Sequence, residues 1–265
     1  MTDSGSPSVI QAGTVEAEVA DGIGTIRFGH PKSNSLPGPL LARLAEAFHR
    51  MGQDERVRVI VLRSEGAGPF SGGASFDEFR AIADPESGRR FFSGFAEVVL
   101  AMIRTPKLIV VRVQGRAAGG AVGLIAASDY AVAARGADIK LSEIVVGIGP
   151  FVVGPVIEKK IGLAAFGALA VDGAWRSADW AERHGLYSEV LETTSALDER
   201  VEAQARKFAG YNPEAVRQLK EVLWEGTGEW PDLLARRAAM SGRLVLSEHS
   251  RRAVGPGSPG KTGGA

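Results

Sequence analysis

Residues 108–124 read LIVVRVQGRAAGGAVGL, and this stretch decides the fold. Its apolar beginning, residues 108–113, predicts a buried strand, and the Ala-rich pattern after Gly120 predicts the start of a helix. Glycines between the two let a ligand approach the backbone closely, and the first amides of a helix have no partner within it. This geometry favours negative charge, either a fixed phosphate or an oxyanion that develops during a reaction.

A second glycine turn helps to decide between these two chemistries. Residues 57–62, VRVIVL, predict another strand, and after a polar loop residues 69–79 read PFSGGASFDEF. Two strands that each lead into a small-residue turn can direct two backbone N–H groups at one oxygen. That arrangement suits a developing oxyanion better than a phosphate.

Composition limits the class of protein. A chain of 265 residues with 45% hydrophobic content can bury a sizeable core, and its formal net charge of zero gives no basis for nucleic-acid binding. The absence of cysteine excludes disulfides and thiolate catalysis, and the four histidines lack metal-ligand spacing, so we expect no metal site. No apolar run approaches the roughly 20 residues that span a bilayer. Residues 1–8 lack the features of a signal peptide, so we expect a cytoplasmic protein with no membrane partner.

The chain shows the order of an α/β protein followed by helices. Strand patterns at about 14–20, 22–28, 57–62, 108–113 and 130–134 alternate with helical patterns near 38–52, 88–104 and 119–128. From about residue 177 the pattern is helical: Ser177 can cap a helix that ends at Gly185, and Asn212 followed by Pro213 marks another helix start.

The last residues contain a motif that we do not interpret as a nucleotide site. Residues 255–262, GPGSPGKT, fit the phosphate-loop pattern GxxxxGK[ST]. The pattern normally follows a strand and opens a helix, and neither is predicted here. We expect residues 255–265 to be a disordered tail.

Four segments, in order and spacing, resemble the crotonase (enoyl-CoA hydratase/isomerase) family. They are HPKSNSL at 30–36, FSGGA at 70–74, QGRAAGG at 114–120 and SEIVVGIGP at 142–150. The resemblance covers roughly residues 14–190. It implies an α/β fold, with a crotonase-like ββα spiral core that binds acyl-CoA in residues 1–190 and a helical trimerisation region in residues 191–254. It also implies a homotrimer or hexamer (dimer of trimers). The resemblance further implies that the substrate is an acyl-CoA thioester, with coenzyme A as part of the substrate and no separate cofactor.

The resemblance also implies roles for individual residues. The family's oxyanion-hole positions fall on Ala74 and Gly120, and its acid/base position falls on Glu143. The neighbouring Gly73 and Gly119, together with Phe151, are candidates for contacts with the substrate. The alternatives are that both turns merely connect strands to helices, and that Glu143 is an ordinary acid at a helix start.

Three further positions are candidates for contacts with the substrate. Lys32 and Ser33, in the family's first loop, are candidates for contacts with coenzyme A. Arg80 lies near the first turn and is a candidate for a contact with a substrate carboxylate. The alternative is a solvated surface charge at Lys32 and at Arg80.

The departures from the family pattern bear on the reaction. Gly123 stands where hydratases carry a first glutamate, so the pair of carboxylates that holds and activates water is absent. Ser75 replaces the acid that commonly follows the first oxyanion residue, and Phe151 replaces a small residue, which predicts a narrower acyl pocket. Residues 142–158 and 175–178 look most like the 3-methylglutaconyl-CoA hydratase branch. That branch interconverts 3-methylglutaconyl-CoA and 3-hydroxy-3-methylglutaryl-CoA. An enoyl-CoA double-bond isomerase and a non-catalytic CoA-binding protein remain the alternatives.

Overall fold

The computed structural model describes residues 12–255, which form a six-stranded sheet, a short second sheet and surrounding helices. The strands are β1 (Thr14–Ala20), β2 (Ile23–Gly29), β3 (Val59–Ser64), β4 (Leu108–Val113), β5 (Ala117–Ala118), β6 (Tyr130–Ala134), β7 (Ile139–Lys140) and β8 (Glu189–Leu191). The helices are α1 (Gly38–Gln53), α2 (Phe76–Ala81), α3 (Pro85–Arg104), α4 (Gly120–Ala126), α5 (Gly154–Asp172), α6 (Ala178–Arg183), α7 (Thr194–Ala209), α8 (Pro213–Leu223), α9 (Trp230–Leu244) and α10 (Glu248–Val254).

The main sheet has the order β1-β2-β3-β4-β6-β8. Strands β1 and β2 pair antiparallel, and every later pair is parallel. Both faces are covered, which explains the continuous apolar runs of β3 and β4. Because side chains alternate along a strand, Ile60 and Leu62 face the large core, whereas Val59 and Val61 pack with α7 residues in a smaller cluster.

The second sheet brings distant loops into one row. Strands β5 and β7 pair in parallel, and isolated bridges extend this row on both sides. One bridge joins Ser71 to Ala117, another joins Leu36 to Ala74, and a third joins Ile139 to Arg176. The two glycine turns are therefore held side by side, although more than 40 residues separate them in sequence.

The C-terminal helices fold back onto this core. Helix α9 packs along α3 at a close crossing, where a Cβ atom placed on Gly88 would lie 2.7 Å from the Cα atom of Gly242. Helix α8 is anchored by a buried ion pair, in which Lys220 Nζ lies 2.8 Å from Asp129 Oδ2. The same carboxylate oxygen accepts the Ile109 amide (2.7 Å), so the pair ties α8 to β4.

The predicted strands and the main predicted helices are confirmed within a few residues at their ends. Ser177 and Asn212 cap α6 and α8 as expected. Strand β8 was not predicted, because a three-residue strand owes its existence to pairing with β6 rather than to local pattern. Strand β8 crosses the boundary between residues 190 and 191, at which the predicted core ends and the predicted helical region begins. That division into two regions stays a prediction. The predicted tail, apart from Gly255, lies outside the described residues. Among those residues, no helix is long and apolar enough to cross a membrane.

Candidate active site

A single cavity contains most of the residues that the sequence singled out. Its space between atoms, counted with its open mouth, is about 620 Å³. Ala74, Gly119, Gly120, Glu143 and Phe151 all line it. The structure thus brings together both glycine turns, the candidate acid/base and the candidate narrowing residue.

The first turn leaves one amide available to the cavity. The amide of Gly72 donates to the Ser33 carbonyl (2.8 Å). The amide of Gly73 donates to Ser71 Oγ (3.1 Å). The next amide, that of Ala74, has no acceptor among residues 12–255. It is therefore free to donate to a ligand in the cavity that Ala74 lines.

The second turn repeats this pattern at the start of α4. The amide of Ala118 donates to the Ser71 carbonyl (3.0 Å), and the amide of Gly119 donates to the Lys140 carbonyl (2.8 Å). Gly119 has φ +55°, a conformation that glycine adopts without strain. The following amide, that of Gly120, finds no acceptor in the described part of the chain. It belongs to the first turn of a helix, where the dipole favours a negative ligand.

Close backbone contact fixes the spacing of the two turns. A Cβ atom placed on Gly73 would lie 2.5 Å from the Ala118 carbonyl oxygen and 3.6 Å from the Cα atom of Gly119. Gly73 also has φ +83°. A side chain at this position is therefore excluded both by the space and by the backbone conformation. The contact holds the open amides of Ala74 and Gly120 at the wall of one cavity.

Glu143 faces the second turn from the loop after β7. A Cβ atom placed on Gly119 would lie 3.2 Å from Glu143 Oε1, so the carboxylate rests directly against the turn. Its other oxygen, Oε2, is inaccessible to solvent and has no hydrogen-bond partner among residues 12–255. Burial raises the pKa of the Glu143 carboxyl to about 7, against a smaller lowering by nearby backbone amides. A carboxyl with this pKa can accept and return a proton near neutral pH.

Because its pKa is raised in the folded state, the Glu143 carboxyl lowers the free energy of unfolding at high pH. Below about pH 4.5 the carboxyl is protonated in both the folded and the unfolded chain. Between about pH 4.5 and 7 it ionises in the unfolded chain but stays largely protonated in the folded one, so the free energy of unfolding decreases as the pH rises. We expect Glu143→Gln to gain about 3 kcal/mol over the wild type at pH 8, and less than about 1 kcal/mol at pH 5. Urea unfolding of both proteins at the two pH values measures this. An equal difference at both values would contradict the burial of this carboxyl.

The position of the missing glutamate is filled by another side chain. Gly123 is buried in α4, and a Cβ atom placed on it would lie 2.5 Å from Val153 Cγ1 and 2.6 Å from Val153 Cβ. Val153 itself lines the cavity. In the described residues, Glu143 is the only carboxylate side chain that lines this cavity.

Four predicted substrate contacts do not line the cavity: Gly73, Lys32, Ser33 and Arg80. Lys32 is exposed and forms an ion pair with Asp77. Arg80 lies 3.7 Å from the same carboxylate and donates through Nε to the Val254 carbonyl (2.6 Å). Ser33 accepts the Gly72 amide through its carbonyl oxygen, as described above. The roles of Lys32 and Ser33 in binding coenzyme A, and of Arg80 in binding a substrate carboxylate, stay predictions.

The sequence did not reveal most of the cavity wall. Five phenylalanines line it. Phe76 and Phe79 lie on α2, Phe92 and Phe95 lie on α3, and Phe151 lies in the loop before α5. Their helical spacing is a signal for burial but not for a site. Ser241 of α9 also lines the cavity, and no local pattern marks it, because its place depends on how α9 packs. No group of His, Cys, Asp or Glu residues that could hold a metal ion occurs within residues 12–255.

Comparison with known proteins identifies the family. A model of the enoyl-CoA hydratase/isomerase family matches residues 18–249. The chain belongs to this family. A probable enoyl-CoA hydratase of Bacillus subtilis (strain 168) is 27% identical over 234 residues, which are 88% of this chain and 90% of that protein. A carnitinyl-CoA dehydratase of Salmonella agona is 28% identical over 225 residues, 83% of each chain.

Solved structures share the fold of this chain. The enoyl-CoA hydratase of Bacillus halodurans superposes with a TM-score of 0.84 at 23% identity, over 91% of this chain and 98% of that one. Pseudomonas aeruginosa OdaA superposes with a TM-score of 0.81 at 24% identity, over 91% and 96%. The predicted crotonase-like α/β fold with a helical C-terminal region is therefore confirmed.

Proposed function

We propose that the protein is an acyl-CoA hydratase/dehydratase in which Ala74 and Gly120 form the oxyanion hole and Glu143 is the acid/base. One observation carries the proposal: a carboxyl with a pKa of about 7 lines the same cavity as two backbone amides without acceptors. Coenzyme A takes part only as the thioester portion of the substrate.

The reaction divides into proton transfer and elimination. In the dehydration direction, the Glu143 carboxylate takes the α-proton, and the electron pair of the C–H bond moves toward the thioester carbonyl. The amides of Ala74 and Gly120 stabilise the resulting oxyanion, and each such donor is typically worth a factor of about 10²–10³ in rate. The electron pair then forms the Cα–Cβ double bond as the β-hydroxyl leaves. The protonated Glu143 returns its proton to that oxygen, which departs as water, so both transfers occur on one face.

The residues that line the cavity indicate which acyl groups it can bind. Methylglutaconyl-CoA, to which residues 142–158 point by resemblance, carries a second carboxylate at its far end. No lysine or arginine side chain lines the cavity in the part of the chain that the structure describes. A desolvated carboxylate without a cation is costly. We therefore place uncharged enoyl-CoA thioesters ahead of 3-methylglutaconyl-CoA as substrates.

A double-bond isomerase is the second candidate. The observation that favours it is the filling of the Gly123 position by Val153, which leaves one carboxylate to act. An isomerase of this design moves a proton between the α- and γ-carbons through Glu143 and needs no water.

Isotopes separate the two reactions. With crotonyl-CoA or 3-methylglutaconyl-CoA in H₂¹⁸O, we expect ¹⁸O at the β-carbon of the product, because one carboxylate suffices to deprotonate water and to protonate the α-carbon. Mass spectrometry of the acyl-CoA pool provides the measurement, and Glu143→Gln is the control. Solvent deuterium without ¹⁸O in a β,γ-enoyl substrate such as 3-hexenoyl-CoA would replace the hydratase with the isomerase. Neither label in any substrate would support a non-catalytic CoA-binding protein.

We also propose that the protein assembles as a homotrimer or as a hexamer of two trimers. Large apolar side chains are exposed in the Glu143 loop and around α5: Ile144, Val145, Leu163, Val171 and Trp175. Such a group is typical of a surface that a partner covers. It supports a homotrimer or a hexamer of two trimers.

A further inference from the structure

Ser241 is a buried hydroxyl that the fold does not use. Its exposed fraction is 1%, yet it lines the acyl cavity. No hydrogen-bond partner for its hydroxyl is found within residues 12–255. Its oxygen is not among the fully enclosed side-chain atoms without a partner in residues 12–255, so it is open to the cavity that Ser241 lines. A ligand in the cavity would supply the partner that the protein lacks.

Helix α3 contacts both the second turn and the segment of α9 that carries Ser241. At one level of α3, the Phe95 ring touches the second turn, since a Cβ atom placed on Gly120 would lie 2.1 Å from Phe95 Cε1. Gly88, seven residues earlier, makes the close contact with Gly242 described above. Seven residues of helix span about 10 Å. Ser241, next to Gly242, therefore meets α3 about two turns away from the level at which Phe95 touches the second turn.

The opposite wall also holds Ser241 in place. Arg237, one turn earlier on α9, donates through Nη1 to the Phe151 carbonyl (3.2 Å). Phe151 lines the cavity, so α9 is fixed both to α3 and to the loop before α5. The guanidinium of Arg237 is used in this backbone contact and does not itself line the cavity. Apart from Ser142, Glu143 and Ser241, the described residues that line the cavity are glycines or have apolar side chains.

We propose that Ser241 determines acyl specificity by hydrogen-bonding a neutral oxygen at the far end of the acyl group. The substrate class is an uncharged acyl-CoA with a largely apolar chain and a distal hydroxyl or carbonyl; this rests on the proposed function of the same site. An extended chain advances about 1.2 Å per bond, so an oxygen about eight bonds from the thioester carbon reaches about 10 Å away from it. That is the separation of the hydroxyl oxygen in 8-hydroxyoctanoyl-CoA.

Calorimetry with saturated thioesters tests the proposal, because these ligands bind without being hydrated. Wild type, Ser241→Ala and Ser250→Ala are each titrated with octanoyl-CoA, 8-hydroxyoctanoyl-CoA and the octanedioyl monothioester. Ser250 is a matched control, since its hydroxyl is also buried without a partner in the described chain but does not line the cavity. We expect the wild type and Ser250→Ala to prefer the hydroxylated chain about tenfold, and Ser241→Ala to lose that preference. The charged chain should bind most weakly to all three.

The other outcomes separate the role of Ser241 from the proposed function. An equal preference in the wild type and Ser241→Ala, a preference of the wild type for plain octanoyl-CoA, or binding of neither chain overturns the role of Ser241. Turnover of crotonyl-CoA alongside such a result leaves the proposed function intact. A Ser241-dependent preference with no turnover of any enoyl-CoA would instead overturn the hydratase and keep the binding site.

Discussion

Replacing Glu143 with glutamine is expected to lower kcat for crotonyl-CoA hydration by at least about 10²-fold, and by up to about 10⁴-fold. The amide keeps the shape of the side chain but can neither take a proton from the attacking water nor deliver one to the α-carbon. The Kd of a saturated acyl-CoA should change little, because the carboxyl is needed for proton transfer and not for the fit of the thioester. Stopped-flow absorbance and calorimetry give the two values.

Glu158→Gln is the matched control for this substitution. Glu158 lies on α5 and its carboxyl does not line the cavity, so its removal should leave kcat within about twofold of the wild type. Because the pKa of the Glu143 carboxyl is about 7, kcat/KM for hydration should also fall as the pH decreases below 7. Turnover by Glu143→Gln close to that of the wild type would remove Glu143 from the reaction.

Gly73→Ala is expected to reduce kcat by about 10²–10³-fold while the protein stays folded. The added methyl group meets a backbone carbonyl, that of Ala118, which no side-chain rotation can move away. One of the two turns must shift, and the amide of Ala74 then no longer points where the oxyanion develops. Steady-state kinetics and circular dichroism of the purified variant measure activity and folding.

Gly66→Ala separates this steric effect from backbone strain. Gly66 has φ +76°, close to the φ of +83° at Gly73, but a Cβ atom placed on it would meet nothing within 4 Å. Both variants therefore carry a similar conformational cost of about 1–2 kcal/mol, and only Gly73→Ala disturbs the oxyanion hole. If the two variants lose activity equally, the contact between the turns does not matter for the reaction.

The sequence predicted the parts of the site that depend on local chemistry. Glycines with positive φ and helix-start amides can be recognised from small residues after an apolar run, which is how Gly119 and Gly120 were found. The two turns were expected to meet because the family pattern places them together, and the row of bridges through Ser71 and Ala117 explains the meeting physically.

The parts that were missed depend on packing between distant segments. Ser241 reaches the cavity only because the Gly88 and Gly242 backbones allow α9 to approach α3 closely. Strand β8 exists through its pairing with β6, not through its own three residues. How far the pKa of the Glu143 carboxyl is raised depends on how completely its surroundings bury it, and the extent of burial cannot be read from the sequence.

The contact between Gly123 and Val153 constrains how this enzyme can change. A glutamate introduced at position 123 alone would collide with the Cβ atom of Val153, which is fixed to the backbone and cannot rotate away. Overpacking of this kind typically costs about 1–3 kcal/mol, and here it would also leave a charge buried. A chain with valine at position 153 therefore accepts a glutamate at position 123 only if α4 or Val153 moves. A smaller residue at position 153 would remove this collision, so whether a second carboxylate fits at position 123 depends on the residue at position 153 as well.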